Sequence, residues 1–388
     1  MSRSATLLRI LALLAVLLLF FASLELMGES VKLLGSGFAE RLIQSTANPF
    51  VGLFVGILAT SLVQSSSTVT SLVVGLVAAG GLTVPGAIPI MLGANVGTSV
   101  TNTIVSLGHI VRKDEFGRAM GAATVHDFFN LMAVAIFFPL ELVTGFLSRS
   151  ADGLANALSD VGGTELLNFV EVLTAPVVGL MIDLMGQNGV LVLIVGVTCL
   201  FLSLRYLVIM LRALLLGRSE RLINNYLFGP AVVALLFGTL VTVMVQSSSI
   251  TTSVTVPLVG AGIVTVSQIF PFVLGANIGT TITALLAALV FAGGGSEHGM
   301  FALQVALAHL MFNCCGVLLF LPFKRLRQIP VVLAEWLGRL VVKNRAYAFG
   351  YIALIFFVLP LLIILATRNL DTSFYGGNSP AVEQVEQP

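Results

Sequence analysis

The sequence predicts an all-α polytopic membrane protein made of two inverted-topology repeats, each with a re-entrant hairpin and a broken transmembrane helix. Three observations lead there. Of 388 residues, 57% are hydrophobic and only 10% are charged, against about 25% charged in soluble proteins. Several runs reach the roughly 20 apolar residues that a bilayer core requires. Second, Gln64-Ser65-Ser66-Ser67 followed by Gly93-Ala94-Asn95-Val96-Gly97-Thr98 returns 182 residues later as Gln246-Ser247-Ser248-Ser249 and Gly275-Ala276-Asn277-Ile278-Gly279-Thr280. Roughly half the positions agree across the two ungapped windows, a duplication rather than an accident of composition. Third, no Asp, Glu, Lys or Arg occurs in 42–111 or 222–296. A net charge of +1 gives no electrostatic case for nucleic acid. Cys199, Cys314 and Cys315 all lie in apolar runs and read as buried thiols.

The elements follow in order. The first repeat is expected over 1–145. A span at 7–27 follows Arg3 and Arg9; a signal peptide is the alternative, but the repeat offset maps this run onto the mid-chain run 189–209. Residues 28–46, with Glu29, Lys32, Glu40 and Arg41 among apolar residues, predict an interfacial helix. A hairpin at 49–80 has Gln64–Ser67 at its tip, because each limb is too short to span. Such backbone is tolerated at membrane depth only where protein or a water-filled cavity covers it. A broken span at 82–105 is interrupted at Gly93–Thr98, where two glycines and an Asn read as breakers. After the charged loop 112–118 comes a span at 119–140. Residues 146–188 are the inter-repeat connection, with 164–186 apolar enough to be a further membrane candidate.

The second repeat, 189–321, carries a span at 189–210, a hairpin at 229–262, a broken span at 265–290 and a span at 300–321. Arg205, Arg212, Arg218 and Arg221 mark an interfacial segment within it. An interfacial helix and a last span fill 322–366, and the tail 367–388 has a disordered composition. Placing Arg3, Arg9, the 112–118 loop, the 205–221 segment and the 324–345 segment in the cytoplasm satisfies the positive-inside bias. The N-terminus is then cytoplasmic and the C-terminus outside. The first hairpin enters from outside and the second from inside, the plan of many secondary transporters.

The motifs suggest one polar site shared by the two repeats. Each Gln-Ser-Ser-Ser tip offers an amide, three hydroxyls and the N-terminus of a returning half-helix, where partial positive charge and unpaired N–H groups suit an anion. Broken spans at Asn95 and Asn277 would free carbonyls and present side-chain oxygens, the neutral ligands that hard monovalent cations prefer. An anion held without Arg or Lys needs co-bound cations, so its affinity depends on them, which is coupling. The bland alternative is that Ser, Thr and Gly permit close helix packing; four aligned polar breaks in two copies weigh against it. His126 and Asn130 return as His309 and Asn313 with an offset of 183. Four residues apart, each pair shares a helix face, and they read as braces for the broken spans. Asp127 has no counterpart. Gly56 and Gly238 read as helix packing, and Thr60 and Thr242 sit one turn before each Gln.

The stretches Gln64–Ser67, Gly93–Thr103, Gly121–Asn130, Gln246–Ser249 and Gly275–Thr281 closely resemble the type II sodium–phosphate cotransporters. The resemblance covers roughly 45–140 and 225–322. It implies sodium-driven uptake of inorganic phosphate by alternating access, with Na+ as coupling ion and no organic cofactor. Carried over by position, phosphate would meet Gln64, Ser65, Ser66, Ser67, Gln246, Ser247, Ser248 and Ser249. Sodium would meet Gln64, Ser66, Asn95, Thr98, Gln246, Ser248, Asn277 and Thr280, with Thr60, Thr242, His126, Asn130, His309 and Asn313 in support. Implied partners are phosphate, sodium ions and the lipid bilayer of the inner (plasma) membrane, with a homodimer as a further candidate. Animal members carry a large glycosylated, disulfide-bonded loop between repeats; 141–188 is short, without Cys or sequon, as in a bacterial relative.

Two other classes compete. An intramembrane serine hydrolase would pair a tip Ser with His126 or His309, but one active site needs one copy of each, and the chain has no Gly-x-Ser-x-Gly elbow. A channel could also use re-entrant hairpins; uphill accumulation separates it from a transporter.

Overall fold

The computed structural model describes residues 3–35, 46–160, 168–215, 230–293 and 296–367, with isolated positions between 37 and 44. Among them the regular elements are all helical. Six helices are long and apolar enough to cross a membrane, namely Leu14–Leu34, Lys113–Thr144, Gly189–Tyr206, Val266–Gly293, Glu297–Phe320 and Ala346–Thr367. The protein is an all-α polytopic membrane protein.

Helix α1 (Arg3–Leu34) continues through residues expected to start a separate interfacial helix. Glu29 and Lys32 pair at 2.7 Å one turn apart, so these charges sit on one face of the same helix and do not end it. The rest of that expected segment is only partly described. Both hairpins form where expected. The first is α2 (Pro49–Val63) and α3 (Ser66–Ala78). The second is α10 (Ala231–Val245), then α11 (Ser248–Ser253) and α12 (Thr255–Gly260). Its returning limb is split at Val254 because Pro257 stands where the first copy has Gly75. A proline inside a helix removes one hydrogen bond and clashes with the carbonyl four residues back.

The broken spans need correction. The first is α4 (Val84–Gly97), a break at Thr98–Ser99, then α5 (Val100–Ser106) and a 3-10 turn, Leu107–His109. The interruption thus follows the glycine motif instead of falling within it. The second, α13 (Val266–Gly293), is continuous. The reason lies in the neighbouring helix. A Cβ at Gly93 would lie 1.9 Å from the Leu53 carbonyl oxygen, and one at Gly275 would lie 1.9 Å from the Leu235 carbonyl oxygen. Both glycines let a hairpin limb touch the span backbone to backbone, the use of small residues at membrane helix contacts.

Helices α6 (Lys113–Thr144) and α14 (Glu297–Phe320) occupy the expected spans at 119–140 and 300–321. The expected connection 146–188 contains two helices, α7 (Phe146–Asp160) and α8 (Asn168–Leu184). The membrane candidate 164–186 largely corresponds to α8, which packs along α1, where the Thr174 hydroxyl donates to Glu25 at 2.6 Å. Helix α9 (Gly189–Leu215) runs past the expected end of its span; residues 216–229, with Arg218 and Arg221, lie outside the described residues. Amphipathic α15 (Lys324–Lys343) occupies the segment expected to hold an interfacial helix. The last span comprises α16 (Ala346–Ala353), a π-turn at Leu354–Val358 and α17 (Leu359–Thr367). The tail beyond Thr367 lies outside the described residues.

Contacts are exchanged between the two halves. Helix α3 packs on α13 and α14, and α11–α12 pack on α5 and α6. Likewise α7 packs on α14 and α15 packs on α6. The two hairpins open at opposite ends of the molecule. At the base of the first, Gly80 faces His298 at the start of α14. At the base of the second, Gly260 lies against His109 and Glu115, and its carbonyl accepts from Arg118 Nε at 2.9 Å.

Candidate functional site

Each hairpin tip is one strained turn. Helix α2 ends at Gln64, whose φ and ψ of 56° and 27° are left-handed, and α10 ends at Gln246 with 55° and 28°. Residues other than glycine occupy this region at a cost that recurs at functional sites. The next residue is extended in both copies and caps the returning limb. Ser65 Oγ accepts from Thr68 N at 3.3 Å, and Ser247 Oγ accepts from Ile250 N at 3.4 Å. The amides of Gln64 and Gln246 each donate at 2.7 Å, to the carbonyls of Thr60 and Thr242. Two sequences 182 residues apart therefore fold to one local geometry.

The tips meet. Ser67 Oγ reaches the Gln246 carbonyl at 3.5 Å, Ser249 Oγ donates to the Thr98 carbonyl at 3.2 Å, and Asn102 Nδ2 donates to Thr252 Oγ1 at 2.8 Å. Ser66, Ser67, Ser248 and Ser249 are all buried. Gln64 is exposed while Gln246 is half-buried. Gln246 Nε2 donates to the Val243 carbonyl, and its Oε1 accepts from Thr283 at 2.6 Å.

Beneath the tips lies a buried amide–imidazole layer in which each half braces the other. His309 Nε2 donates to Asn95 Oδ1 at 2.9 Å, and Asn95 Nδ2 donates to Asn313 Oδ1 at 2.8 Å. In the other direction His126 Nε2 donates to Asn277 Oδ1, and Asn277 Nδ2 donates to Asn130 Oδ1 at 2.7 Å. Asn130 Nδ2 then donates to the Asn95 carbonyl at 2.8 Å, joining the two sets. The four expected braces therefore touch the broken-span asparagine side chains across repeats, and Asn130 adds one contact within the first repeat, to the Asn95 carbonyl. One consequence bears on cation binding: the Asn95 and Asn277 side-chain oxygens each already accept a hydrogen bond. Thr98 and Thr280 hydroxyls donate back along their own helices, to the Ala94 and Ala276 carbonyls. Only the first copy, with its break at Thr98–Ser99, frees backbone carbonyls in the way that the sequence suggests for both.

Among the described residues nine buried side-chain atoms have no hydrogen-bond partner: the hydroxyls of Thr60, Ser61, Ser71, Thr101, Thr242 and Ser248, Nδ1 of His126 and of His309, and Asp127 Oδ1. All nine belong to the hairpins and the two helices that follow each hairpin. A buried polar atom left unpaired costs about 1–3 kcal/mol, so their concentration in one region makes it a candidate polar site. Asp127 is fully buried; its Oδ2 accepts from Tyr351 at 2.8 Å, and the Thr103 hydroxyl lies 3.5 Å away. Sequence reasoning missed Asn102, Thr252, Thr283 and Tyr351. Thr101 and Thr283 match across the repeat offset, a signal that was there to be used. Asn102 and Tyr351 have no such echo.

The family model described as Na+/Pi-cotransporter matches residues 19–163 and again 199–342, two segments of nearly equal length that begin within α1 and α9 and end just after α7 and within α15. Among curated relatives, sodium-dependent phosphate transport protein 2A of Ovis aries is 33% identical over 435 residues, covering 92% of this chain and 67% of that protein. Protein 2A of Mus musculus is 34% identical over 436 residues, with the same coverage. Protein 2B of Pongo abelii is 32% identical over 451 residues, covering 92% of this chain and 65% of that protein. The chain thus spans about two thirds of the length of the curated relatives it matches. No solved structure matches.

Proposed function

Because this chain belongs to the Na+/Pi-cotransporter family, we propose that it is a sodium-coupled symporter of inorganic phosphate, a transporter and not an enzyme, working by alternating access in the cell inner membrane with a cytoplasmic N-terminus. The observation that carries this reading is the meeting of two strained, repeat-related Gln-Ser-Ser-Ser turns in a region without Lys or Arg, with the Ser248 hydroxyl buried and unpaired. The names of the relatives, sodium-dependent phosphate transport proteins, support the same substrates.

On this reading phosphate lies between the tips. Ser66 and Ser248 donate to it, and the start of the 13-residue α3 adds its amides and dipole. In the second tip the returning limb begins with only six helical residues, so hydroxyls carry more of the work there. Thr60, Thr242, Thr98 and Thr280 offer neutral oxygens for sodium, and Asp127, with one oxygen unpaired, offers the negative charge. Sodium neutralises a dianion that no cationic side chain meets. Each net charge moved inward gains about 2.3 kcal/mol per 100 mV. The opening of the hairpins at opposite ends supports reading the two halves as inverted repeats about the tips, in which each hairpin in turn opens the site to its own side.

The test is radiolabelled phosphate uptake by proteoliposomes under a sodium gradient. Accumulation above the external concentration is expected with sodium. Uptake unchanged when choline replaces sodium would overturn the proposal, and purely downhill flux would favour a channel.

A further inference from the structure

The last span is for the most part apolar and exposed: Tyr347, Phe349, Leu354, Val358, Leu361, Leu362 and Leu365 are exposed on it. Against that background Tyr351 is out of character. Its hydroxyl reaches 2.8 Å to a carboxylate oxygen of fully buried Asp127 on α6. Its ring is held by Phe128, with centroids 6.1 Å apart, and by Phe356, edge-on at 6.3 Å, so the hydroxyl has little freedom to leave. Three residues on, the helix widens into the π-turn Leu354–Val358, a feature that recurs at functional sites. The same span ends at the mouth of the first hairpin, where Asn48, the N-cap of α2, donates from Nδ2 to the Thr367 carbonyl.

We propose that Tyr351 is a positioning residue for cation binding: its hydroxyl fixes one oxygen of Asp127 so that the other is presented to the coupling ion. The proposal rests on the sodium-coupled reading above. The pairing has no repeat-related copy among the described residues. Leu310 stands at the position matching Asp127, and Asn168 and Phe169 at those matching Tyr351. A repeat-symmetric packing role would have left an echo in the second copy; a single charged site requires none. Tyr351 is the nearer of two donors to Asp127 Oδ2, at 2.8 Å against 3.5 Å for the Thr103 hydroxyl; with only the longer bond left, the carboxylate can rotate and bind an ion less well. Because the donor belongs to a span tied also to the first hairpin, ion binding at Asp127 and the position of that hairpin share one support.

The test uses Tyr351→Phe, which keeps both ring contacts and removes only the hydroxyl, together with Asp127→Asn and the double variant. Sodium titrations of phosphate uptake are expected to show a roughly tenfold or larger rise in the half-saturating sodium concentration for Tyr351→Phe, the usual effect of losing a hydrogen bond to a charged group. Maximal uptake at saturating sodium should stay within about twofold. In the Asp127→Asn background, Tyr351→Phe should add less than about twofold, since coupled residues are not additive. Wild-type sodium dependence in Tyr351→Phe, or an undiminished effect in the Asn background, would overturn the proposal. A second readout, stabilisation of the purified protein by sodium over choline in thermal unfolding, does not depend on phosphate. If wild-type protein takes up no phosphate yet Tyr351→Phe weakens stabilisation by sodium, the substrate reading falls and the positioning role stands. If sodium does not stabilise the wild type and drives no uptake, both fall.

Discussion

Thr60 and Thr242 present a choice between stability and use. Each is buried, each carbonyl caps a tip glutamine, and each hydroxyl is unpaired. Valine has nearly the same shape and no hydroxyl, so Thr60→Val and Thr242→Val remove a group that costs about 1–3 kcal/mol when it finds no partner in the protein. We expect both variants to unfold at higher temperature than the parent, as function-bearing strain is relieved, and to lose several-fold in phosphate or sodium affinity. Higher stability with unchanged uptake kinetics would make these hydroxyls bystanders. Ser66→Ala and Ser248→Ala go the other way. A donor to a charged ligand is lost, and phosphate affinity should fall roughly tenfold or more while the protein still reaches the membrane; unchanged saturation curves in both would remove the tips from the site. These residues were legible because they come in pairs. Asn102 and Tyr351 were not, since Ala284 stands at the position matching the first and a tyrosine in an apolar terminal span carries no sign of what it touches.

Helix pairs α2–α4 and α10–α13 are held by the same device. A Cβ at Gly56 would lie 2.1 Å from the Ile90 carbonyl oxygen, and one at Gly238 would lie 2.1 Å from that of Phe272, mirroring the contacts of Gly93 and Gly275 from the opposite helix. Backbone atoms cannot step aside as a flexible side chain can. Gly93→Ala and Gly275→Ala should therefore force the helices apart and destabilise by about 1–3 kcal/mol or more, seen as a lower midpoint in thiol-reactive thermal unfolding. Gly108→Ala and Gly153→Ala, with nothing within 4 Å of the added atom, should be near neutral. Equal midpoints for all four would mean that the close approach carries no stability. The sequence does not distinguish these uses of glycine. Gly56 and Gly238 read as packing and are so; Gly93, Gly97, Gly275 and Gly279 read as breakers and are helical. Small residues spaced by four serve both ends, and only the neighbouring helix decides. The split of the second returning limb was not among the expectations for 229–262, although Pro257 is the residue type that breaks a helix.

At the scale of the whole molecule the repeats extend further than identity reveals. The two family-model matches reach α7 and α15, which share an amphipathic pattern and exchanged partners but little sequence. That correspondence was hidden in 146–188 because interfacial helices preserve a polar face and not particular residues. The exchange matters for orientation. Arg112, Lys113 and Arg118 gather at the end where the second hairpin opens, and Arg345 joins them through the Val111 carbonyl. The base of the first hairpin lies at the other end, against His298. If positive charge stays inside, the second hairpin opens to the cytoplasm and the first to the outside, and the α17 end, bonded to Asn48, emerges outside with it. Single-cysteine variants Val111→Cys and His298→Cys, made after replacing Cys199, Cys314 and Cys315, turn this into a yes-or-no measurement with a membrane-impermeant maleimide. Position 111 should label only in inside-out vesicles and position 298 only in right-side-out vesicles. Labelling of both from one side would place the two hairpin mouths in the same compartment. The tips would then share a single entrance, and alternating access through inverted repeats would have no structural basis.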